Sequence, residues 1–311
     1  MTFSTTSPRR SASPAGGHPS VARSSARRLR LDRIAASGFL LPSVAIVGVV
    51  LLVPFGVTLV RSLFSDQITP RFIGLANYAQ IFTDPILIRS LVNTLMWVVG
   101  SLLLPVCIGL GVAVMTSNMR GGRFFRLAMI LPYALSGTAV AVVGTFMLQT
   151  TGAVNQALSF VGLGSLQQQW LLQWPLNTVS AILINSWQST GVAVVLFMVG
   201  LQTIQKEVLE ASALDGAFGV KRFGLIIFPL LRPVTAVVIG ITLANALRAF
   251  DVTWVLTAGG PARSSETLAL SMYRDSFLLN SPGLGGAVAV FLAIIVVASS
   301  TLYLGNQLRK L

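Results

Sequence analysis

From Arg126 to Lys206 the chain carries no charged side chain, and that run limits the possible folds more than any other feature. Soluble domains are about a quarter charged. This chain of 311 residues is 10% charged and 54% hydrophobic, with a mean hydropathy of +0.78, which is too apolar for a water-facing surface. A helix crossing a bilayer needs about 20 apolar residues. The charge-free run is too long for one such helix and holds two, near residues 127–148 and 180–201. Between them, Gly152, Asn155, Gly162, Gly164, Gln167, Gln168, Gln169 and Pro175 break or solvate a helix and place a loop outside the hydrocarbon. Trp170 and Trp174 suit the aromatic belt at its edge.

Four more spans follow from the same punctuation, near 38–60, 94–115, 234–256 and 286–303. The prediction is an all-α integral membrane protein with six transmembrane helices. One membrane domain, residues 37–311, follows a tail over 1–36. The tail holds Arg9, Arg10, Arg23, Arg27, Arg28, Arg30 and Arg33 among Ser, Pro and Gly, a composition that does not build a core. Its basic character accounts for much of the formal charge of +13. On a soluble protein that charge would suggest nucleic acid. Here it suits anionic lipid heads or a tail held in the cytoplasm, with no nucleic-acid partner. His18, the single histidine, lies in the tail, away from any ligand set. Cys107 is the single cysteine, so no internal disulfide or zinc cluster is available. No cleavable signal is expected, because the basic region is too long and the first apolar run exceeds an h-region.

Orientation follows from basic residues in the loops. Arg120, Arg123 and Arg126 follow the second span, and Lys206, Lys221, Arg222 and Arg232 follow the fourth. Arg309 and Lys310 end the chain. The alternate loops are mixed in sign or uncharged. Both termini are expected in the cytoplasm, as an even number of spans requires.

The cytoplasmic loop over 204–232 carries the sharpest motif. Lys206 to Leu214 reads as a short helix offering Val208, Leu209 and Ala211 as an apolar patch, and Gly216 suits the left-handed turn that ends it. A second amphipathic segment, Val220 to Phe228, is expected to stop at Pro229. A helix–turn–helix of this kind can plug a groove on another protein. The stretch Glu210-Ala211-Ser212, then Gly216, then Ile226-Ile227-Phe228-Pro229 resembles the "EAA" loop of ABC-importer permeases, departing from it at Ser212 and Phe228.

Further segments resemble carbohydrate permeases of the maltose and glycerol-phosphate type. They are Phe72 to Tyr78, Asn93-Thr94-Leu95, Phe250-Asp251-Val252 with Leu256 to Pro261, and Tyr273 to Phe277. The resemblance implies a type I importer permease fold in a bacterial plasma membrane. It also implies a second permease forming a heterodimer, a pair of ATPase subunits holding ATP and Mg, and an extracytoplasmic substrate-binding protein. Glu210, Ala211, Ser212, Asp215, Gly216 and Pro229 would couple this subunit to the ATPase. No G-x-x-x-x-G-K-[ST] loop, H-E-x-x-H or G-x-S-x-G occurs in the chain, so neither ATP binding nor catalysis is expected of it, and no cofactor or metal.

A cargo path needs polar groups facing the bundle interior. Asn185, Gln188 and Thr190 interrupt the fourth span. Asn245, Arg248 and Asp251 lie three apart on one face of the expected fifth. Amides and an indole suit sugar hydroxyls and ring faces; the competing role is hydrogen bonding between packed helices. Arg248 and Asp251 are spaced for an i,i+3 ion pair. An ion-coupled secondary transporter is the alternative from another class. It is disfavoured because of the six spans only the fifth holds an acid.

Overall fold

The structure is a computed structural model that describes residues 38, 41–117 and 119–308. The basic tail with His18, and Arg309 and Lys310, lie outside the described residues. Among these residues all regular structure is helical apart from one isolated bridge, Phe64 with Phe72. The chain divides into two units at Val57 and Thr58. The first helix, α1 (Leu41–Arg61), is 21 residues long, apolar, and widened into a π turn over Gly48–Leu52.

Twelve helices follow it: α2 (Ala76–Thr83), α3 (Pro85–Ser117), α4 (Gly122–Ala134), α5 (Gly137–Leu148), α6 (Ala153–Phe160), α7 (Leu176–Gln202), α8 (Lys206–Leu214), α9 (Gly219–Leu230), α10 (Arg232–Leu247), α11 (Asp251–Thr257), α12 (Leu268–Tyr273) and α13 (Pro282–Leu308). By length and apolarity α1, α3, α7 and α13 can each cross a membrane. The pairs α4–α5 and α9–α10, bent by 103° and 70°, bring the number to as many as six.

The organising element is α3, whose 33 residues reach about 50 Å at 1.5 Å each. It begins nine residues before the expected span, because Pro85 fits a first helical turn and Asp84 Oδ1 accepts from the Ile86 amide at 2.7 Å. Three core layers are arranged along it. Leu87 packs with Ile81, Leu268 and Val288. Trp97 packs with Ala141, Ile182, Val252 and Leu256. Ala113 packs with Ala193, Phe197 and Val238. Small residues such as Ala113 and Ala193 let α3, α7 and α10 approach closely, as membrane helices without a hydrophobic driving force require.

Two expected spans are not straight. The third breaks at Leu135, where Ser136 Oγ accepts from the Ala139 amide at 3.1 Å and caps α5. The fifth was expected to run to residue 256. Instead α10 ends at Leu247 and α11 starts at Asp251. The carbonyls freed there are taken by side chains: Arg248 Nε donates to Ala244 O at 3.1 Å, and Thr267 Oγ1 to Ala249 O at 2.7 Å. Nor does Pro229 stop its segment. A π turn over Phe223–Ile227 precedes it, and this wider turn relieves the clash between the ring and the carbonyl four residues back. The helix continues to Leu230 and the bend comes after it.

Candidate functional site

The hairpin of α8 and α9 is built by its turn. Gly216 sits at φ +72°, a left-handed conformation that costs other residues about 1–2 kcal/mol. The Ala217 amide donates to Ser212 O at 2.9 Å and the Gly216 amide to Ala213 O at 3.1 Å, the paired closure of a glycine-ended helix. Ser212 is buried, with Oγ donating to Leu209 O at 2.7 Å, and Ala217 is buried beside it. Arg222 returns from α9 to donate from Nε to Ala217 O at 3.2 Å, its guanidinium lying 5.6 Å from the centre of the Phe218 ring. The outer face is left open: Glu210, Ala211, Asp215, Leu214, Phe218 and Val220 are exposed, and among the described residues no ion pair involves Glu210. Pro229, half-buried, lies inside α9 rather than at the turn.

The six cargo-path residues separate into two kinds. Thr190 is buried and donates to Ser186 O at 2.6 Å, within α7. Gln188, half-buried, donates from Nε2 to Leu135 O at 2.8 Å, so it satisfies the break between α4 and α5. A Cβ at Gly137 would lie 3.7 Å from Gln188 Oε1 and 4.0 Å from Val252, so Gln188 and the start of α11 meet at that break. Asn185 is half-buried, and Asn245, Arg248 and Asp251 are exposed. These last three do not share one continuous helix, since the chain breaks at Arg248. No ion pair joins Arg248 to Asp251 among the described residues. Arg248 instead borders an open cleft of about 580 Å³ with Phe250, Met272, Tyr273, Leu292 and Val296. Phe250 stacks on Trp254 with ring centres 6.1 Å apart, and Tyr273 sets an edge against each, at 5.2 and 5.6 Å.

Asn93, in the sequence only the first residue of the Asn93-Thr94-Leu95 motif, joins three parts of the fold. It is fully buried. Its Nδ2 donates to Ser264 O and Glu266 O, both at 2.8 Å. Its Oδ1 accepts from Trp174 Nε1 at 3.0 Å and Thr178 Oγ1 at 3.2 Å. One amide thus ties α3, the entry to α7 and the segment before α12. Next to it Thr94 Oγ1 accepts from the Leu268 amide at 2.9 Å. Beneath that segment lies a buried charge cluster. Arg263 donates to Glu266 at 2.8 Å and to Asp275 at 3.0 Å, and Arg274 pairs with the other Glu266 oxygen. Burial pushes the Asp275 carboxyl above its ordinary value of 3.8, with Arg263 opposing the shift. The available signal was four charges over twelve or so residues in a chain otherwise poor in them. Among the described residues no group of three or more His, Cys, Asp or Glu side chains could hold a metal ion.

Bent apolar spans around a long central helix, with an exposed helical hairpin, are the features of a transporter's membrane subunit. Residues 106–310 match the family described as "Binding-protein-dependent transport system inner membrane component". The chain is 34% identical over 243 residues to the probable ABC transporter permease protein YurN of Bacillus subtilis (strain 168), covering 77% of this chain and 82% of that one. It is 31% identical to the sn-glycerol-3-phosphate transport system permease protein UgpA of Agrobacterium fabrum (strain C58 / ATCC 33970), covering 74% and 79%. A solved bacterial ABC transporter involved in import of the acidic polysaccharide alginate shares the fold. Its TM-score is 0.78 at 22% identity, covering 91% of this chain and 98% of that one. The chain belongs to the family of inner membrane components of binding-protein-dependent transport systems. It is therefore a multi-pass membrane protein and an ABC-type permease subunit.

Proposed function

We propose that this subunit passes a carbohydrate or a related polyhydroxylated solute across the membrane, and that the α8–α9 hairpin docks on a separate ATPase. The observation that carries the reading is the open face of the hairpin. Glu210 stands exposed beside Leu214, Phe218 and Val220, while the interior of the turn is closed by Ser212, Gly216 and Ala217. Exposed apolar side chains beside the Glu210 and Asp215 carboxylates suit a groove with an apolar floor and a basic rim. In this reading Glu210 meets the basic group, Ala211 and Ser212 permit close approach, and Asp215 and Gly216 set the angle of α9 up to Pro229.

Sugar-like cargo is supported by two lines. Relatives include permeases named for sn-glycerol-3-phosphate, for sulfoquinovosyl glycerol, and for a multiple sugar-binding system. In this chain Asn245, Arg248 and Asp251 are exposed and Asn185 half-buried, and Arg248 borders a cleft with Phe250 and Tyr273, whose rings could face a sugar. Gln188 and Thr190 shape the path by holding backbone in place. The assembly needs a second permease as heterodimeric partner, two ATPase subunits with ATP and Mg, and an extracytoplasmic binding protein to deliver cargo. Both termini then lie in the cytoplasm.

The test is Glu210→Ala in cells that take up the cargo of the system. The expected outcome is a subunit present in the membrane at normal level, co-purifying poorly with the ATPase and supporting little uptake. Normal ATP-driven uptake by this variant would overturn the docking role.

A further inference from the structure

The unit between α5 and α7, residues 149–175, is built around one amide. Asn155 is buried; its Nδ2 donates to Thr150 O and Gln168 O, both at 2.9 Å. Its Oδ1 accepts from Trp170 Nε1 at 2.8 Å, and its carbonyl accepts from Gln167 Nε2 at 2.8 Å. One side of α6 is thereby fixed against the returning chain. The other end of α6 closes as the coupling hairpin does. Gly162, at φ +79°, donates to Ser159 O at 3.0 Å, and the Leu163 amide donates to Leu158 O at 2.8 Å. Around that turn the apolar residues are exposed. Phe160 is 92% exposed and Val161 62%, and Leu163 and Leu166 are exposed beside them.

We infer that this tip, Phe160, Val161, Leu163 and Leu166, is a membrane-interface anchor whose partner is the lipid at the headgroup–acyl boundary. Three observations carry the assignment. The unit joins Leu148, the end of a membrane segment, to Leu176, the start of the next, so it begins and ends at the bilayer surface. Its helix has eight residues, about 12 Å, which keeps the tip near the polar zone of several ångströms flanking the hydrocarbon. The third observation is chemical: no charged residue occurs from 127 to 205. The surroundings of the tip are the amides Gln156, Gln167 and Gln169, with exposed Leu172 and Trp174 continuing the apolar surface toward α7. Four exposed apolar side chains are unfavourable in water, and with no charge from 127 to 205 nothing near them opposes entry into the headgroup–acyl boundary. The boundary region accepts them, and it accepts amides at its outer edge. The inference rests on the membrane placement of α5 and α7, and not on the cargo or the ATPase.

The experiment uses the full chain in vesicles of phosphatidylcholine and phosphatidylglycerol. The exposed Cys107 is first removed by Cys107→Ser. Single changes Phe160→Cys, Leu163→Cys and Leu166→Cys then carry a spin label, with Gln156→Cys as the water-facing reference. All four positions are exposed, so the changes leave the core intact, and size-exclusion elution checks each variant. Collision with oxygen, which partitions into lipid, is compared with collision with a water-soluble nickel chelate. The expected result is an oxygen-to-nickel ratio several-fold higher at the three tip positions than at Gln156. Ratios at the tip equal to that of Gln156 would overturn the anchor. So would tip labels that become shielded only when an external binding protein or a second permease is added, since that outcome assigns the surface to a protein.

Discussion

Glu266 is fully buried between two guanidinium groups, with Arg263 on one side-chain oxygen, Arg274 on the other, and Ser271 Oγ donating at 2.9 Å. Removing one member of such a set leaves an uncompensated buried charge, at about 3–5 kcal/mol. Glu266→Gln is therefore expected to lower the unfolding temperature in detergent by far more than Glu210→Ala, whose side chain is free. Asn93→Ala strands the carbonyls of Ser264 and Glu266 together with Trp174 Nε1, each at about 1–3 kcal/mol when buried. It should destabilise the subunit comparably, and a wild-type melting curve would refute the hub. Asp275 provides a pH test. Its folded carboxyl titrates above 3.8 because burial disfavours the charged form. Its contribution to stability is fully present below the unfolded value and is lost as pH rises through the folded one. Asp275→Asn cannot titrate, so the difference in melting temperature between mildly acidic and neutral buffer should shrink relative to wild type.

At the scale of elements, the end of α8 was legible because a helix stop written as Gly216 is local chemistry. Gly216→Ala places a Cβ in a left-handed conformation at about 1 kcal/mol. That is too little to unfold the subunit, but it re-aims α9. Uptake is expected to fall while the amount of protein in the membrane stays constant. The breaks in the third and fifth spans were not legible, and the reason is physical. A helix can stop inside an apolar run only if its freed carbonyls find donors, and here two of the donors come from a distance. Gln188 reaches Leu135 from 53 residues away, and Thr267 reaches Ala249 from 18. Arg248 and Asp251 looked like one polar face because the sequence pattern assumes a continuous helix. In the folded chain they stand on either side of a break. Phe72 to Tyr78 was recognisable as a motif but not as a device. Asn77 Nδ2 donates to Ser62 O and Phe64 O, both at 2.9 Å, and Tyr78 Oη shares a 2.7 Å bond with Ser62 Oγ.

For the whole molecule, the charge pattern that suggested an orientation and the helices that could cross a membrane are separate observations that constrain one another. Four straight spans alone would suit a different loop assignment; six, with each bent pair crossing once, place Ile68 on the side opposite Met119 and put Met119 with the α8–α9 hairpin. Ile68 is fully exposed and Met119 is exposed, so both accept a reporter without touching the core. In a Cys107→Ser background, a membrane-impermeant maleimide applied to the outer face of the plasma membrane of intact cells should label Ile68→Cys and leave Met119→Cys unlabelled. Inside-out vesicles should give the reverse. Labelling of both sites from one side would remove α3 from the set of spans, and with it the position of the hairpin on the cytoplasmic face. The arginines at 120, 123 and 126 make that outcome unfavourable, because moving such a cluster across the membrane opposes the bias that sets orientation. The labelling pattern therefore tests the charge argument and the helix assignment together.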